Sequence, residues 1–215
     1  MAARRRSARR EADPDNVFIN CPFDSACWPL FEVMVFTIVA CGFKPRCARE
    51  EADSGEVRIE KIARLVRESR FGIHDISRVE LDGATQLPRF NMPFELGLDL
   101  GCKRFGDAGN ATKQILILDS EPYRFQVFLS DIAGQDIRSH GGRPERLFRE
   151  IREWLRVVSR RATIPGDRWI RAQQVAFSAS LPQLCEDMRL DHRSLGYADY
   201  LELVETWLSD AVRKP

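Results

Sequence analysis

Two carboxylates, Asp75 and Glu95, are the residues of this sequence best placed to do chemistry. They lie in the stretch RFGIHDISRVELDGATQLPRFNMPFELGLDLG, residues 70–101. It reads as a strand ending in Asp75, a polar loop, and a helix opened by Asn91-Met92-Pro93-Phe94-Glu95-Leu96-Gly97. That spacing puts Glu95 in the first helical turn, where unpaired backbone N–H groups and the helix dipole favour an ionised carboxylate. Asn91 is expected at the N-cap, accepting a backbone N–H. A charged carboxylate at the mouth of a sheet is what cleavage of an N-glycosidic bond requires. It stabilises, or attacks, the cationic carbon that forms as the base leaves. Acidic residues also occupy first turns for stability alone, so position by itself leaves both roles open.

Other polar residues compete with bland explanations. His74 stands next to Asp75, but strand alternation turns one of the two away from the mouth, and a core-facing histidine is the favoured reading. Cys21 has no histidine partner nearby in sequence and reads as a small buried thiol. Arg46 and Arg78, near strand ends, suit a phosphate or a surface salt bridge equally. Ser120 and Glu121 read as turn formers. The aromatic residues Trp154, Trp169, Tyr197, Tyr200 and Trp207 at helical spacing read as core or self-association surface. No GxGxxG or Walker-type loop is present.

The elements that must position these residues alternate in type. Residues 17–20 form a short buried strand, and 29–41 a helix apolar almost all round, with Pro29 in its first turn and Gly42 as its cap. Residues 43–47 form a second strand, at an edge because of Pro45. Asp53 and Glu56 resemble a capping box before a helix that carries Ile59, Ile62, Leu65 and Val66 on one face. Residues 71–75 and 114–118 are central strands. The order β-α-β-α-β-α-β implies an α/β fold, a flavodoxin-like parallel sheet with helices on both faces. Ligands bind such sheets at the carboxyl ends of the strands.

Beyond Asp131 the pattern turns helical. An amphipathic helix covers 144–160, and two or three short helices rich in Leu, Trp and Tyr follow. The expected organisation is therefore a disordered basic tail over 1–16, an α/β domain over 17–161, and a C-terminal helical extension over 162–215.

Composition sets limits on this reading. The chain has 215 residues and a formal net charge of +1, so no global field attracts nucleic acid or an anionic membrane. The longest apolar run falls well short of the ~20 residues that span a bilayer. No secretory signal follows the N-terminal arginines. The six cysteines are scattered and the histidines number three, a pattern of reduced thiols in a cytoplasmic protein that makes no metal site.

The run HDISR…NMPFELG, with the opening VFINCPFD at 17–24, resembles the nucleoside 2-deoxyribosyltransferase-like and TIR-like superfamily. The resemblance covers about residues 16–138, and its most specific part is Asp75 together with the spacing of Asn91, Glu95, Leu96 and Gly97. It implies a catalytic role for Glu95 and for Asp75, which helps hold the sugar. It implies that Asn20, Phe23 and Asp24 shape the pocket, joined by Ser77, Arg78 and Asn91 in substrate binding. The Asp and Gly-Thr pair of one branch and the Trp-Cys of the other are missing ahead of Glu95, which leaves the substrate open. Three functions follow. The first is a TIR-like hydrolase cleaving NAD or a related nucleotide in antiviral defence or stress signalling. In it NAD is a substrate and no cofactor is required. The second is a nucleoside deoxyribosyltransferase or hydrolase. The third is a non-catalytic nucleotide sensor or adaptor. Relatives of this kind commonly assemble, so the C-terminal segment is expected to contribute to a homodimer.

Overall fold

The structure, a computed structural model, describes residues 12–81, 83 and 85–213. Its centre is a five-stranded, all-parallel sheet in the order β2-β1-β3-β4-β5. The strands are β1 (Asp13–Asn20), β2 (Lys44–Arg46), β3 (Ser69–Asp75), β4 (Gln114–Asp119) and β5 (Ile137–Ser139). This is the flavodoxin-like arrangement, with its switch point between β1 and β3.

Strand alternation divides the sheet into two faces. Val17, Ile19, Phe71, Ile73, Leu116 and Leu118 face one way, into the largest apolar cluster. That face is covered by α1 (Trp28–Ala40) and α5 (Pro144–Ser159), both part of the same cluster. Phe18 and Ile117 face the other way, beneath α2 (Arg58–Glu68) and α3 (Asn91–Phe105) respectively. The short α4 (Phe125–Phe128) closes that second side near β4.

The apolar periphery of α1 has a simple cause: it is a middle layer. Beyond it lie α6 (Asp167–Asp187) and α7 (Tyr197–Arg213). Phe36 of α1 meets Phe177 of α6 with ring centroids 5.5 Å apart. From α7, the Tyr200 hydroxyl donates to the Glu32 carbonyl, and the Tyr197 hydroxyl, 2.7 Å away, donates to the Pro45 carbonyl beside β2. Leu181, Leu195, Val204 and Leu208 belong to the same cluster as the sheet. The apolar surface of the C-terminal helices is thus largely covered within the chain.

Several boundaries differ from the sequence reading. β1 already runs at Asp13, inside the expected tail; the rest of that tail, residues 1–11, lies outside the described residues. Strand pairing needs only the backbone, and polar partners hold the extra residues: Asn16 Nδ2 donates to the Glu68 carbonyl and Asp15 is paired with Arg161. Asp53 and Glu56 form no capping box, because α2 has Val57 at its N-cap and no side-chain cap. Asp53 accepts instead from the Gly55 N–H, and Glu56 pairs with Arg64. β5 went unread, since three residues with Arg138 at the centre give no apolar signature. Among the described residues, no helix is long and apolar enough to cross a membrane.

Candidate functional site

At the switch point, the carboxyl ends of β1 and β3 meet the first turns of α2 and α3. A cavity of about 330 Å³ opens there. Phe23 and Asp24 come from the loop after β1, Arg49 from the loop after β2, and Arg78 from the loop after β3. Arg58 of α2, Arg89, Asn91 and Met92 close the remaining sides. Four guanidinium groups therefore surround one small cavity, with Asp24 the single carboxylate in its wall among the described residues. Asp24 is shared between Arg78, at 3.4 Å, and Arg89, at 4.0 Å. Arg49 is held over the rings of Phe23 and Trp28 and donates to the Phe23 carbonyl.

Glu95 sits just behind this wall, 5 % exposed, with Arg58 Nη2 at 4.0 Å from its Oε1. It is not a first-turn residue. The helix starts at Asn91, with Phe90 at the N-cap and no side-chain capping bond, so Asn91 is exposed and caps nothing. Pro93 then falls in the first turn, where a missing N–H costs nothing. Glu95 follows in the second turn, out of reach of the free N–H groups. Burial therefore governs its titration and raises its pKa to about 7, against a smaller opposing pull from Arg58.

Below the cavity runs a buried polar chain. Asn20, at the end of β1, donates from Nδ2 to the Met92 carbonyl (2.9 Å) and to His74 Nδ1 (3.0 Å). A carbonyl on one side fixes the amide orientation, so His74 accepts at Nδ1 and donates from Nε2 to Asp99 Oδ2 at 2.9 Å. Lys113 completes the chain, 3.2 Å from Asp99 Oδ1. Gly72 is required here: a Cβ on it would lie 2.2 Å from Asp99 Oδ2. Asn20 and His74 thus tie the first turn of α3 to the sheet rather than facing the cavity.

Asp75 turns to the other face, as alternation from His74 demands. It is buried, accepts from the Ser77 N–H, and has His140 Nε2 at 3.5 Å from its Oδ1. His140 accepts the Gly142 N–H at Nδ1, which leaves the ring proton on Nε2, toward Asp75. Neither Asp75 nor Ser77 lines the cavity; the Ser77 carbonyl accepts from Arg124. Cys21 is fully buried, and burial together with Asp75 pushes its thiol pKa well up, which removes it as a nucleophile.

No family model, curated protein or solved structure matches the chain.

The chemistry follows from geometry alone. Of the sequence candidates, Phe23, Asp24, Arg78 and Asn91 line the cavity and Glu95 backs it. Asn20 ties the start of α3 beneath it, whereas Asp75 and Ser77 lie outside its wall. Arg49, Arg58, Arg89 and His140 were missed, because arginines are scattered along the whole chain and His140 follows an unread strand.

Glu95 gives a test independent of function. A carboxyl whose folded pKa is raised from 4.5 to about 7 favours folding while protonated. That advantage is complete below pH 4.5 and is lost as pH rises through about 7. Glu95→Gln should therefore unfold at higher urea than the parent near pH 8, by at most about 3 kcal/mol. Urea titrations of both proteins near pH 8 and pH 4 measure the difference, which should vanish or reverse at the lower pH. A gap unchanged with pH would mean that Glu95 titrates normally.

Proposed function

We propose that this chain cleaves the N-glycosidic bond of a nucleotide, NAD or a close relative, with Glu95 as the reacting carboxylate. The observation that carries the reading is the arginine-lined cavity at the switch point with a buried carboxyl, that of Glu95, 4.0 Å from one of its arginines. Arg49, Arg58, Arg78 and Arg89 supply a phosphate grip by charge-assisted hydrogen bonds. Arg58 links grip and carboxyl, since it lines the cavity and reaches Glu95.

In the reaction the bond from the ribose anomeric carbon to the base breaks, and its electron pair leaves with the base. The ionised Glu95 stabilises or captures the cationic sugar carbon, and water delivers the hydroxyl. A nicotinamide leaves neutral from a cationic ring and needs no proton. A purine needs one, and among the described residues no acid lines the cavity except Asp24, which is engaged by two arginines. The same arginine grip favours a phosphorylated substrate over the free nucleoside of a deoxyribosyltransferase. Asp75 holds the start of the loop that carries Arg78 by accepting the Ser77 N–H.

Incubation with NAD and with a panel of nucleosides, followed by chromatography of released bases, tests the proposal. Nicotinamide release is expected, with kcat/KM rising as pH passes about 7 and Glu95 ionises. Free base from nucleosides alone would move the assignment to a transferase or hydrolase. Nucleotide binding without turnover would leave a sensor or adaptor. Arg78→Ala and Arg89→Ala should each raise KM by roughly 10- to 100-fold, because a hydrogen bond to a charged group contributes about 1.5–3 kcal/mol.

A further inference from the structure

A second cavity differs in character from the first and shares no residue with it. It is a groove of about 590 Å³ on the outer side of the α6–α7 pair. Trp169, Leu184, Met188 and Trp207 form its walls, and Asp187 and Asp210 stand among them. Among the described residues, no lysine or arginine lines it, and neither aspartate makes an ion pair. The size is that of a small-ligand pocket, which falls in the range of about 300–1,000 Å³.

The groove is also held in shape. Trp207 Nε1 donates to Gln173 Oε1 at 3.2 Å, and its ring packs against Phe177 with centroids 5.8 Å apart. Two half-buried indoles beside a Met188 that is 48 % exposed make an apolar surface the free protein leaves in water. An indole face attracts a cation, and a carboxylate nearby strengthens that preference and repels anions.

We infer that this groove binds a small organic cation, an ammonium group carried on an apolar body. The body replaces water along Leu184, Met188 and the indoles, and the ammonium lies between the rings and the two carboxylates. A fatty acid or other anionic amphiphile meets repulsion from Asp187 and Asp210. A neutral one leaves Asp210 without a counter-charge, while Asp187 keeps only the Gln183 Nε2 donor at 2.9 Å.

Tryptophan fluorescence of the full chain, which has four tryptophans, reports on this directly. Octyltrimethylammonium, kept below micelle formation, is the probe, with octanol and octanoate as controls. Saturable quenching by the ammonium is expected, with affinity about tenfold or more above that for octanol, and none by octanoate. Trp207→Phe should weaken the ammonium about tenfold with an unchanged circular dichroism spectrum. Asp210→Asn, at an exposed position, should bring ammonium and octanol close together, and it decides the matter if the tryptophan variant folds poorly. Equal affinity for octanol and the ammonium in the parent protein would overturn the inference, as would the absence of saturation. So would a dimer, seen by light scattering, that Trp207→Asp dissociates, since a second copy would then own the groove.

Discussion

Lys113→Met should destabilise the protein by about 3–5 kcal/mol, the usual cost of removing one partner from a buried ion pair. Lys113 and Asp99 are both 0 % exposed, so neither charge has water to fall back on. The ammonium is 3.2 Å from Asp99 and also donates to the carbonyls of Val66, at the end of α2, and Ser69, at the start of β3. Methionine matches the length of lysine and fills the space, so the loss is electrostatic rather than a cavity. What remains is a carboxylate facing only His74, plus two carbonyls without that donor. For a chain of this size the melting temperature should fall by roughly 6–20 °C. The double variant Lys113→Met with Asp99→Asn should recover much of the loss, since it removes the stranded charge and keeps an acceptor for His74. Thermal unfolding of the three proteins measures this. A single variant as stable as the parent would show that the pair contributes nothing.

That network marks where sequence reading reached its limit. The central strands were legible because β1, β3 and β4 are covered on both faces and so read as continuous apolar runs. The middle-layer role of α1 was legible for the same reason. His74 read correctly as a core residue from alternation. Asp99 and Lys113 gave little sign, since isolated charges look like solvated surface. One clue was present: Asp99 shares the buried stripe of α3 with Met92 and Leu96, at spacings of four and three residues.

The site was legible in outline, but Asn20, Asp75 and Ser77 do not line the cavity, and the surroundings of Glu95 differ most. Asp24, Arg78, Asn91 and Glu95 do converge at the carboxyl edge, because parallel topology forces the loops after β1 and β3 together. The environment of Glu95 was misjudged, since helix boundaries shift by a residue or two from any sequence pattern. Moving the helix start from a capping Asn91 to a first-position Asn91 carries Glu95 one position further along, from the edge of the first turn into the second. The larger difference is burial: Glu95 shares the packed stripe of α3 with Met92, Leu96 and Asp99, and burial raises its pKa to about 7. The cavity arginines were hidden for another reason: they come from two connections, Arg49 and Arg58 between β2 and the start of α2 and Arg78 and Arg89 between β3 and α3, and only the fold brings them together.

Glu95→Gln should lower the rate of nucleotide cleavage by about 10²–10³, and by more if the carboxylate bonds covalently to the sugar. The amide keeps size and hydrogen-bonding capacity and removes only the charge that meets the cationic carbon. The loss should fall on kcat, because the arginines that hold the phosphates are untouched and KM depends chiefly on them. The pH dependence with a midpoint near 7 should vanish in the variant, since the group responsible no longer titrates. Stability moves in the opposite direction above that pH, where the buried charge of the parent is a liability. A variant that is more stable and nearly inactive is therefore the signature of a carboxylate held for chemistry at a cost to folding. A variant that is more stable and fully active would leave Glu95 a buried acid with no part in the reaction. Paired measurement of kcat against pH and of urea unfolding on the same two proteins separates these outcomes.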